Sequence, residues 1–465
     1  MKRYTLLFTA LLLAGCGSFT RSDYQQPLLS MPQTWEQKAS QDKARQLAAG
    51  DNWWQGFDDT RLTRVINQVL QTNNDLAAAA LTLKQARLTA GLRNTNLTPD
   101  VTLGGNASNT KNISNGVSPT ENYNSSLSLT YELDLWGKLA RTREQYEWLA
   151  KASEQDYQAT VLSTIGTTAQ LYWSIALANQ QIKNLKKSQE IAEQTLEQVE
   201  SWYRAGKVGQ LDVLQAQQTV ISRQNSVRTQ IQQREKSRNA LALLLNRPAE
   251  QHADESTQLE AGKRVPIAAY TPLNVISRRP DVQAAESRLR SELSGYDVSR
   301  LSFYPSLSLN AALNAGSSAF SQWFNAPTRV LGAGLTAPFI QWNTVQLTIE
   351  SAGVQVQQAA VSFRKTVYSA LSEVDDAMEQ RLSADEQRER LQQSLAISQK
   401  RLKLTESRYR AGAVDYRTLL DAQDNLLTLE NSLAQTQYDY LYATMQLWLA
   451  QGGGEVQQRT NSNEQ

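Results

Sequence analysis

The sequence repeats itself over most of its length. A stretch reading WYRAGKVGQLDVLQAQ at residues 202–217 returns as RYRAGAVDYRTLLDAQ at residues 408–423, an offset of 206 positions. The same offset holds far outside that stretch, in three pairs of identical residues: Asp75 and Asp281, Pro99 and Pro305, and Trp136 and Trp342. A repeat of this length indicates a duplicated domain rather than a short solenoid unit. The chain is therefore predicted to contain two similar halves, each with a Tyr-Arg-Ala-Gly turn.

Each Tyr-Arg-Ala-Gly turn lies between two long helical segments. From Lys138 to Tyr203 the sequence runs for 66 residues without proline, and as a helix this segment would be about 100 Å long. Beyond Gly206, apolar residues recur every seven positions, as Val213, Val220 and Val227 in the first half and Leu419, Leu426 and Leu433 in the second. Heptad spacing predicts packing as a coiled coil. The two turns are thus predicted to be the tips of two helical hairpins.

Both halves also contain two segments in which apolar and polar residues alternate. The alternation is clearest over residues 126–135 in the first half and 307–313 in the second. It predicts one hairpin of two strands per half, at about 100–135 and about 305–340. Strands of about ten residues cross a bilayer when tilted. The same pattern is typical of a half-buried hairpin on a soluble domain, so the alternation alone leaves both interpretations open.

The N-terminus carries a processing signal. Two basic residues precede an apolar run from Leu6 to Leu13, and small residues lead to Cys16, the only cysteine of the chain. This order is typical of a secretory signal peptide, and Leu-Ala-Gly-Cys resembles the bacterial lipobox. We therefore predict a lipoprotein signal peptide at 1–15 and a lipid on Cys16, in place of a lone buried thiol. Gly17 stands where an inner-membrane retention signal would have aspartate, which implies sorting to the outer membrane.

The remaining boundaries follow from changes in composition. Residues 16–50 are polar and rich in glutamine, and they are predicted to form a lipidated, extended tether. The first structural repeat covers 51–247 and the second covers 276–451. Residues 248–275 contain three prolines and the only histidine, and they link the repeats. Residues 452–465 are predicted to be a polar, mobile tail.

Composition excludes several classes of function. Forty-seven Lys and Arg against forty-five Asp and Glu give a net charge of +2, which provides no basic field for nucleic acid. One histidine, one cysteine and no glycine-rich phosphate loop or metal-ligand cluster leave no catalytic site to assemble. The chain is therefore not predicted to be an enzyme, and no metal or cofactor is expected besides the lipid on Cys16. No apolar run reaches 18 residues, which argues against transmembrane helices.

Four membrane-length strands are too few to close a barrel within one chain. Open strand edges are not tolerated in lipid, and the smallest outer-membrane barrels have about eight strands. A barrel would therefore be shared between copies of the chain. Two, three or four copies would give about eight, twelve or sixteen strands, and about twelve or more would leave an aqueous conduit.

Four motifs carry a resemblance to a known family. They read YELDLWGK at 131–138, RRPDVQAAE at 278–286, FYPSL at 303–307 and LLDAQ at 419–423. The chain resembles the outer membrane factor family, the TolC-like exit ducts of tripartite efflux pumps, in its lipoprotein branch of drug and metal efflux channels. The resemblance implies an α+β membrane protein: a homotrimer with a shared 12-stranded β-barrel, a long α-helical coiled-coil barrel, and an equatorial domain built from the linker and the termini.

The resemblance also implies function and partners. It implies passive conduction of small molecules, such as drugs or toxic compounds, by a duct that is lipid-anchored and barrel-inserted in the cell outer membrane, with a large periplasmic extension. The implied partners are outer membrane lipids, a periplasmic adaptor (membrane fusion) protein and an inner-membrane pump of the proton-driven RND type. Two alternatives stay open: a duct for secreted protein or peptide, and a structural coiled-coil lipoprotein. The latter does not account for the duplicated hairpins.

The resemblance places a gate at the periplasmic tip. Its motif corresponds to Tyr409 and Arg410 before the second tip and Asp421 after it, with Asp212 as the matching acid after the first tip. An arginine donates two parallel hydrogen bonds to a carboxylate, so a ring of such pairs could close an aqueous pore. In the alternative, Arg410 and Asp421 are solvated helix charges of little energetic weight.

Two further sets of residues complete the predicted sites. The tips that an adaptor would grip are Gly206, Val208, Leu211, Gly412 and Val414. In the alternative, the two glycines serve only the turn. Trp136 and Trp342 directly follow the hairpins, where they would be anchors at the membrane interface or core residues at a strand-to-helix corner.

Overall fold

The computed structural model describes most of the chain, namely residues 20–32, 53–111, 113, 118–259, 272–338 and 341–453. The predicted signal peptide and Cys16 lie outside the described residues. The chain divides into two compact units, which we call the sheet unit and the helical unit. The sheet unit comprises residues up to Leu29, Leu81–Asp156 and Gln283–Thr366, and the helical unit comprises Ser30–Ala80, Tyr157–Val282 and the residues from Val367 onward.

The sheet unit contains one antiparallel sheet of four strands. In chain order the strands are β1 (Asp100–Thr110), β2 (Thr120–Leu133), β3 (Ser306–Ser317) and β4 (Thr328–Thr336). The order in the sheet is β1-β2-β3-β4, so one strand pair from each half meets at the β2–β3 contact. Within the described residues, β1 and β4 each pair with a single neighbour and leave one edge open.

Alternation along the strands gives this sheet one apolar and one polar face. In the register, Leu129 of β2 lies between Val101 and Ala311. The positions between such residues point to the opposite face, and most of them are serine, threonine, asparagine or glycine. Most leucines of the apolar face are exposed in the single chain, and Leu103 keeps 82% of its surface accessible. An apolar face of this extent requires an apolar partner.

Most of the described chain is helical, so the expected α+β class is confirmed. The helices in chain order are α1 (Thr60–Thr72), α2 (Asn74–Asn94), α3 (Lys138–Arg204), α4 (Gln210–Leu244), α5 (Pro272–Arg278), α6 (Pro280–Leu301), α7 (Trp342–Arg410) and α8 (Tyr416–Ala450). The two longest, of 67 and 69 residues, are each followed by a helix of 35 residues. Among the described residues, no helix has the length and apolarity needed to cross a membrane.

The core of the helical unit forms around α1. This helix begins where the Asp59 carboxylate accepts hydrogen bonds from the backbone N–H groups of Arg61 and Leu62, at 2.9 and 3.0 Å. Its buried apolar stripe consists of Leu62, Val65, Ile66 and Val69. This stripe belongs to the same core cluster as Trp173 of α3 and Trp448 of α8. Phe57 packs edge-on against Trp173 and Trp448, with ring centroids 4.7 and 5.0 Å apart.

The tail predicted at residues 452–465 starts two residues too early, because Gly452 and Gly453 are part of the folded structure. Gly452 and Gly453 are buried and have φ angles of +91° and +64°, which favour glycine. The Gly453 N–H donates to the Trp448 carbonyl at 2.9 Å, so the C-terminus of α8 turns back. A Cβ at Gly453 would clash with Leu162, and one at Gly452 would crowd Arg278. Folded structure therefore extends through Gly453, and residues 454–465 lie outside the described residues.

Part of the predicted tether is docked onto the sheet unit. Asp297 of α6 is fully buried, and its carboxylate accepts from the Ser22 N–H at 3.0 Å and from the Ser22 hydroxyl at 2.6 Å. The Arg141 Nε lies 3.0 Å from the same carboxylate. The Thr20 hydroxyl donates to the Trp136 carbonyl at 2.8 Å. A buried carboxylate needs donors, and this polar segment supplies them.

Candidate functional site

The two helical hairpins reverse direction at equivalent glycines. Gly206 follows α3 with φ of +71°, and Gly412 follows α7 with φ of +70°. At the first tip the Gly206 N–H donates to the Tyr203 carbonyl and the Lys207 N–H to the Trp202 carbonyl, both at 2.9 Å; the second tip repeats both bonds. This is a Schellman motif, which satisfies the last carbonyls of a helix and places glycine in the left-handed region. The Tyr-Arg-Ala-Gly sequences therefore build the same turn twice.

An acid caps the helix after each turn, but from a different position. At the first tip the Asp212 carboxylate accepts from the Gly209 N–H at 3.2 Å. At the second tip, Asp415 replaces Gly209 at the offset of 206, and its carboxylate accepts from the N–H of Thr418 at 2.9 Å and from the Thr418 hydroxyl. These bonds hold the pKa of Asp415 below its ordinary value. Asp212, predicted as a gate acid, thus caps α4 in the single chain, and its role in a gate stays a prediction.

Aromatic rings join the two tips within one chain. Tyr409 is 4% exposed, and its ring centroid lies 5.1 Å from that of Trp202 and 6.2 Å from that of Tyr416. We call these three side chains, with the apolar residues around them, the tip cluster; the other buried members are Val199, Ala216, Leu402, Leu419 and Ala422. The buried Tyr409 hydroxyl has no hydrogen-bond partner among the described residues. Burial, with smaller effects of Tyr416 and Asp212, raises the pKa of Tyr409 to about 12.

The predicted gate pair does not form within one chain. Arg410 and Asp421 are both exposed, and no ion pair among the described residues involves either of them. Successive residues on a helix are rotated by about 100°, so Arg410 points away when Tyr409 fills the tip cluster. Asp421 likewise precedes the buried Ala422. Both charges therefore remain available to groups outside the chain.

A different ion pair links the two hairpins. Arg223 of α4 contacts Asp424 of α8, and their side chains are 15% and 50% exposed. The duplication does not predict this pair, because the residue equivalent to Asp424 in the first half is Gln218. Heptad spacing predicts that α4 and α8 each pack in a coiled coil, but it does not specify the partner helix or the charges that meet.

The predicted adaptor contacts divide into exposed and packed residues. Gly206, Gly412 and Leu211 are exposed, and Leu211 keeps 67% of its surface accessible. Val208 and Val414 are half-buried and pack against the tip cluster. Of the predicted contacts, Leu211 is thus the one large apolar side chain that is mostly exposed, and the two valines fill the space under each turn.

The two predicted anchors are not equivalent. Trp136 is half-buried, and its Nε1 donates to the Pro305 carbonyl at 2.8 Å. Its ring centroid is 5.4 Å from that of Tyr304. Trp136 is therefore a packed corner residue that links the end of the first strand hairpin to the start of the second. Trp342, the first residue of α7, is 70% exposed.

The acids before α3 have local partners. Glu132 of the polar face accepts from Lys138 Nζ at 2.7 Å. The Asp134 carboxylate accepts from the N–H groups of Leu139 and Ala140, at 2.9 and 2.8 Å. Asp134 therefore caps the N-terminus of α3, where its negative charge also interacts favourably with the positive end of the helix dipole. The YELDLWGK motif thus stops a strand, turns at Gly137 and starts a helix.

Comparison with known sequences gives consistent matches over most of the chain. A sequence profile described as outer membrane efflux protein matches residues 65–247 and 272–453. The chain is 27% identical to the toxin and drug export protein A of Aggregatibacter actinomycetemcomitans, covering 97% of this chain and 98% of that protein. It is 29% identical to the pyoverdine export outer membrane protein OpmQ of Pseudomonas putida, covering 92% of each.

Solved structures give a consistent result. The crystal structure of the Campylobacter jejuni CmeC outer membrane channel matches with a TM-score of 0.84 and 25% identity, over 94% of this chain and 95% of that one. Sequence and fold therefore agree over nearly the full length of both chains.

Proposed function

Because the chain belongs to the outer membrane efflux protein family and lies in the cell outer membrane, we propose that it is the passive exit duct of a tripartite efflux system. The duct conducts small molecules such as drugs or toxic compounds from a periplasmic pump assembly to the outside. The export of toxins, drugs and pyoverdine by the relatives supports this class of cargo. The chain acts as a conduit and not as an enzyme.

The two-faced sheet carries this proposal. Its apolar face suits lipid, and its polar face suits an aqueous lumen. The open edges of β1 and β4 have to be paired in lipid, because no water is present there to satisfy backbone groups. Pairing β1 of one copy with β4 of the next closes the sheet, and three copies give a shared barrel of about twelve strands with a conduit inside.

The proposal extends to the remaining partners. The lipid on Cys16 holds each copy in the outer membrane, and the helical hairpins extend into the periplasm. A periplasmic adaptor grips the tips, with Leu211 as an apolar contact, and connects the duct to an inner-membrane pump of the proton-driven RND type.

The gate forms between copies. Arg410 and Asp421 face outward from a single chain, so in a ring each meets groups of the neighbouring copy. Charge-assisted hydrogen bonds of this kind close the lumen and exchange for water when adaptor binding favours the open state.

Single-channel conductance in planar bilayers tests duct and gate together. The wild type is compared with Arg410→Ala and Asp421→Ala, and with Arg390→Ala as a control, since Arg390 pairs with Glu386 on the same helix. We expect small, flickering wild-type currents that become large and stable in the two gate variants only. An open wild type that the gate variants leave unchanged rejects these gate residues. Absence of conductance from well-folded protein rejects the duct.

A further inference from the structure

A cavity of about 600 Å³ lies within the helical unit, between α3, α7, α8 and the start of α6. This volume is in the range of small-molecule sites, about 300–1,000 Å³. Part of the lining is apolar and includes Leu162 of α3 and Leu449 of α8. The two helices approach closely here, because a Cβ at Gly166 would lie 2.5 Å from the Leu449 side chain. The cavity is therefore large enough for a small molecule and offers apolar surface to it.

The charged residues that line this cavity give it a net negative charge. They are Arg279, Asp281, Glu373 and Asp376, three acids and one base, for a net charge of −2. The Arg279 guanidinium donates to Asp281 at 2.8 and 3.0 Å and to Glu373 at 2.6 Å. Its other terminal nitrogen donates to the Ala450 carbonyl at 3.0 Å. Two carboxylates therefore share one guanidinium, and Asp376 is left without a positive partner in the cavity.

Asp376 is the carboxylate best placed to meet a cationic ligand. It is exposed, and among the described residues it forms no ion pair. Its carboxylate accepts a long hydrogen bond of 3.4 Å from the Ser372 hydroxyl, one turn earlier on α7. A cation that enters the cavity can therefore contact Asp376 without displacing a strong internal partner.

An aromatic ring lines the same cavity. Tyr442 of α8 is half-buried, and its ring stacks on that of Tyr438, with centroids 6.0 Å apart and an angle of 7° between the planes. Aromatic faces attract cations and also contact apolar groups. Among the described residues, no group of histidine, cysteine and acidic side chains could hold a metal ion. A carboxylate, an aromatic ring and apolar side chains in one cavity therefore suit an organic cation.

The duplication does not repeat this site. At the offset of 206, the equivalents of Glu373, Asp376 and Tyr442 are Thr167, Gln170 and Lys236. The first two of these equivalents also line the cavity, from α3, so the free acid comes from the second half only. In the first half a lysine stands in place of the aromatic ring, which would repel a cation. The recognition chemistry is thus particular to this cavity and is not a consequence of the repeated backbone.

We propose that this cavity binds organic cations that carry apolar or aromatic groups. Asp376 and Glu373 interact with the positive charge, and Tyr442 contacts the apolar part together with the leucines of α3 and α8. The site itself does not depend on the proposed function, but its natural occupant, a cationic compound in transit, rests on that function. A site along a transport route has to release its ligand, so weak and reversible binding is expected.

Equilibrium dialysis of the full-length protein against tetraphenylphosphonium tests the site. Tetraphenylborate is the matched probe, because it has the same shape and the opposite charge. Both compartments contain neutral maltoside micelles at one concentration, and size-exclusion chromatography checks that each variant keeps the wild-type oligomer. We expect the wild type to bind the phosphonium at least about tenfold more tightly than the borate, because the cavity carries net negative charge.

Three variants locate the bound phosphonium. Asp376→Asn should weaken its binding about two- to fivefold, as expected for one exposed charge contact. Tyr442→Leu should weaken it by a similar factor, because the aromatic face is lost. The matched control is Asp375→Asn, which makes the same charge change at the next residue of α7. Asp375 is not among the residues that line the cavity, so this variant should bind like the wild type.

Three outcomes overturn the site. Equal binding of the two probes would mean that apolar surface alone attracts them. Equal weakening by Asp375→Asn and Asp376→Asn would mean that the phosphonium responds to general surface charge. Absence of phosphonium binding to the folded wild type would mean that the cavity is closed to ligands, for example by a neighbouring copy.

Conductance of the same wild-type sample separates failure of the site from failure of the duct. A conducting protein that does not bind phosphonium rejects only the site. Selective phosphonium binding by a protein that does not conduct keeps the site and counts against the duct.

Discussion

Trp202 and Tyr409 pack their rings with centroids 5.1 Å apart and so connect the last turns of the two longest helices. They are not equivalent residues of the two halves. At the offset of 206, Trp202 corresponds to Arg408, and Tyr409 corresponds to Tyr203, which is 46% exposed. Two turns of the same backbone geometry therefore carry different surfaces, and a ring of copies would present two kinds of tip in alternation.

The hydroxyl of Tyr409 is expected to be dispensable, whereas its ring is not. Because this hydroxyl is buried without a partner among the described residues, Tyr409→Phe should leave the stability of the tip unchanged or increase it by about 1 kcal/mol. Tyr409→Ala should cost about 3 kcal/mol, because it removes a buried ring. Hydrogen exchange of the tip amides measures both, with Tyr203→Phe and Tyr203→Ala as controls at the exposed position. Equal loosening by Phe and Ala would instead indicate that the hydroxyl finds an acceptor in the assembly.

The tip should loosen at high pH. The pKa of Tyr409 is raised to about 12, above the value of about 10 for an unfolded tyrosine. A raised pKa means that the stabilisation is fully present below about pH 10 and is lost as the pH rises towards about 12. Protection of the tip amides should fall over this range in the wild type, and Tyr409→Phe should remove that part of the fall. An identical pH profile for the variant would contradict this.

The ion pair between Arg223 and Asp424 is expected to contribute modestly. Since Asp424 is half exposed, solvent screening limits the coupling to about 0.5–1 kcal/mol. A double-mutant cycle with Arg223→Gln and Asp424→Asn, read from tip hydrogen exchange, isolates this term. The exposed pair Arg390 and Glu386 is the matched control, with an expected coupling of about 0.3–0.5 kcal/mol. A coupling energy below that of the control would show that the pair of Arg223 and Asp424 does not stabilise the tip.

Alanine at either tip glycine should strain the backbone without a clash. A Cβ at Gly206 or Gly412 would meet nothing within 4 Å, so the cost is that of a left-handed φ, about 1–2 kcal/mol. Gly91→Ala is the control, because Gly91 is a helical position with equal space, and there alanine should stabilise by about 0.5–1 kcal/mol. Thermal unfolding of the three variants gives the comparison, and a neutral Gly412→Ala would show that the turn can rearrange.

Lys138 should control ion preference in the duct. Lys138 neutralises Glu132 on the polar face, so Lys138→Gln leaves an unpaired carboxylate in each copy and should raise the preference for cations. The reversal potential under a KCl gradient measures this preference, and Glu132→Gln together with Lys138→Gln should return it to the wild-type value. An unchanged reversal potential in the single variant would show that Glu132 does not face the lumen.

Local sequence signals were sufficient for features fixed by a few adjacent residues. Alternation at residues 126–133 predicts the strand and its apolar face, and the glycines of the tips predict the left-handed turns. In each case the physical cause, a φ angle or a periodicity, depends only on residues that are close together in the sequence.

Features that depend on two distant segments were not predictable. The contact between Arg223 and Asp424 and the docking of Ser22 on Asp297 join residues far apart in sequence, and nothing near either residue specifies its partner. The duplication also does not carry the cap from one tip to the other, because Asp212 caps α4 whereas its equivalent at the offset of 206 is Thr418. The offset identifies equivalent backbone positions but does not indicate which side chains face inward.

The two open edges of the sheet also affect the chain before it assembles. An unpaired strand edge is a template for any extended segment it meets, and an isolated chain has two such edges beside an exposed apolar face. For the oligomer proposed above, single chains would therefore be prone to aggregate, and the yield would depend on how quickly copies meet compared with how quickly they misassociate. Slow synthesis near the membrane, or a chaperone that covers both edges, would favour productive assembly over fibrous by-products.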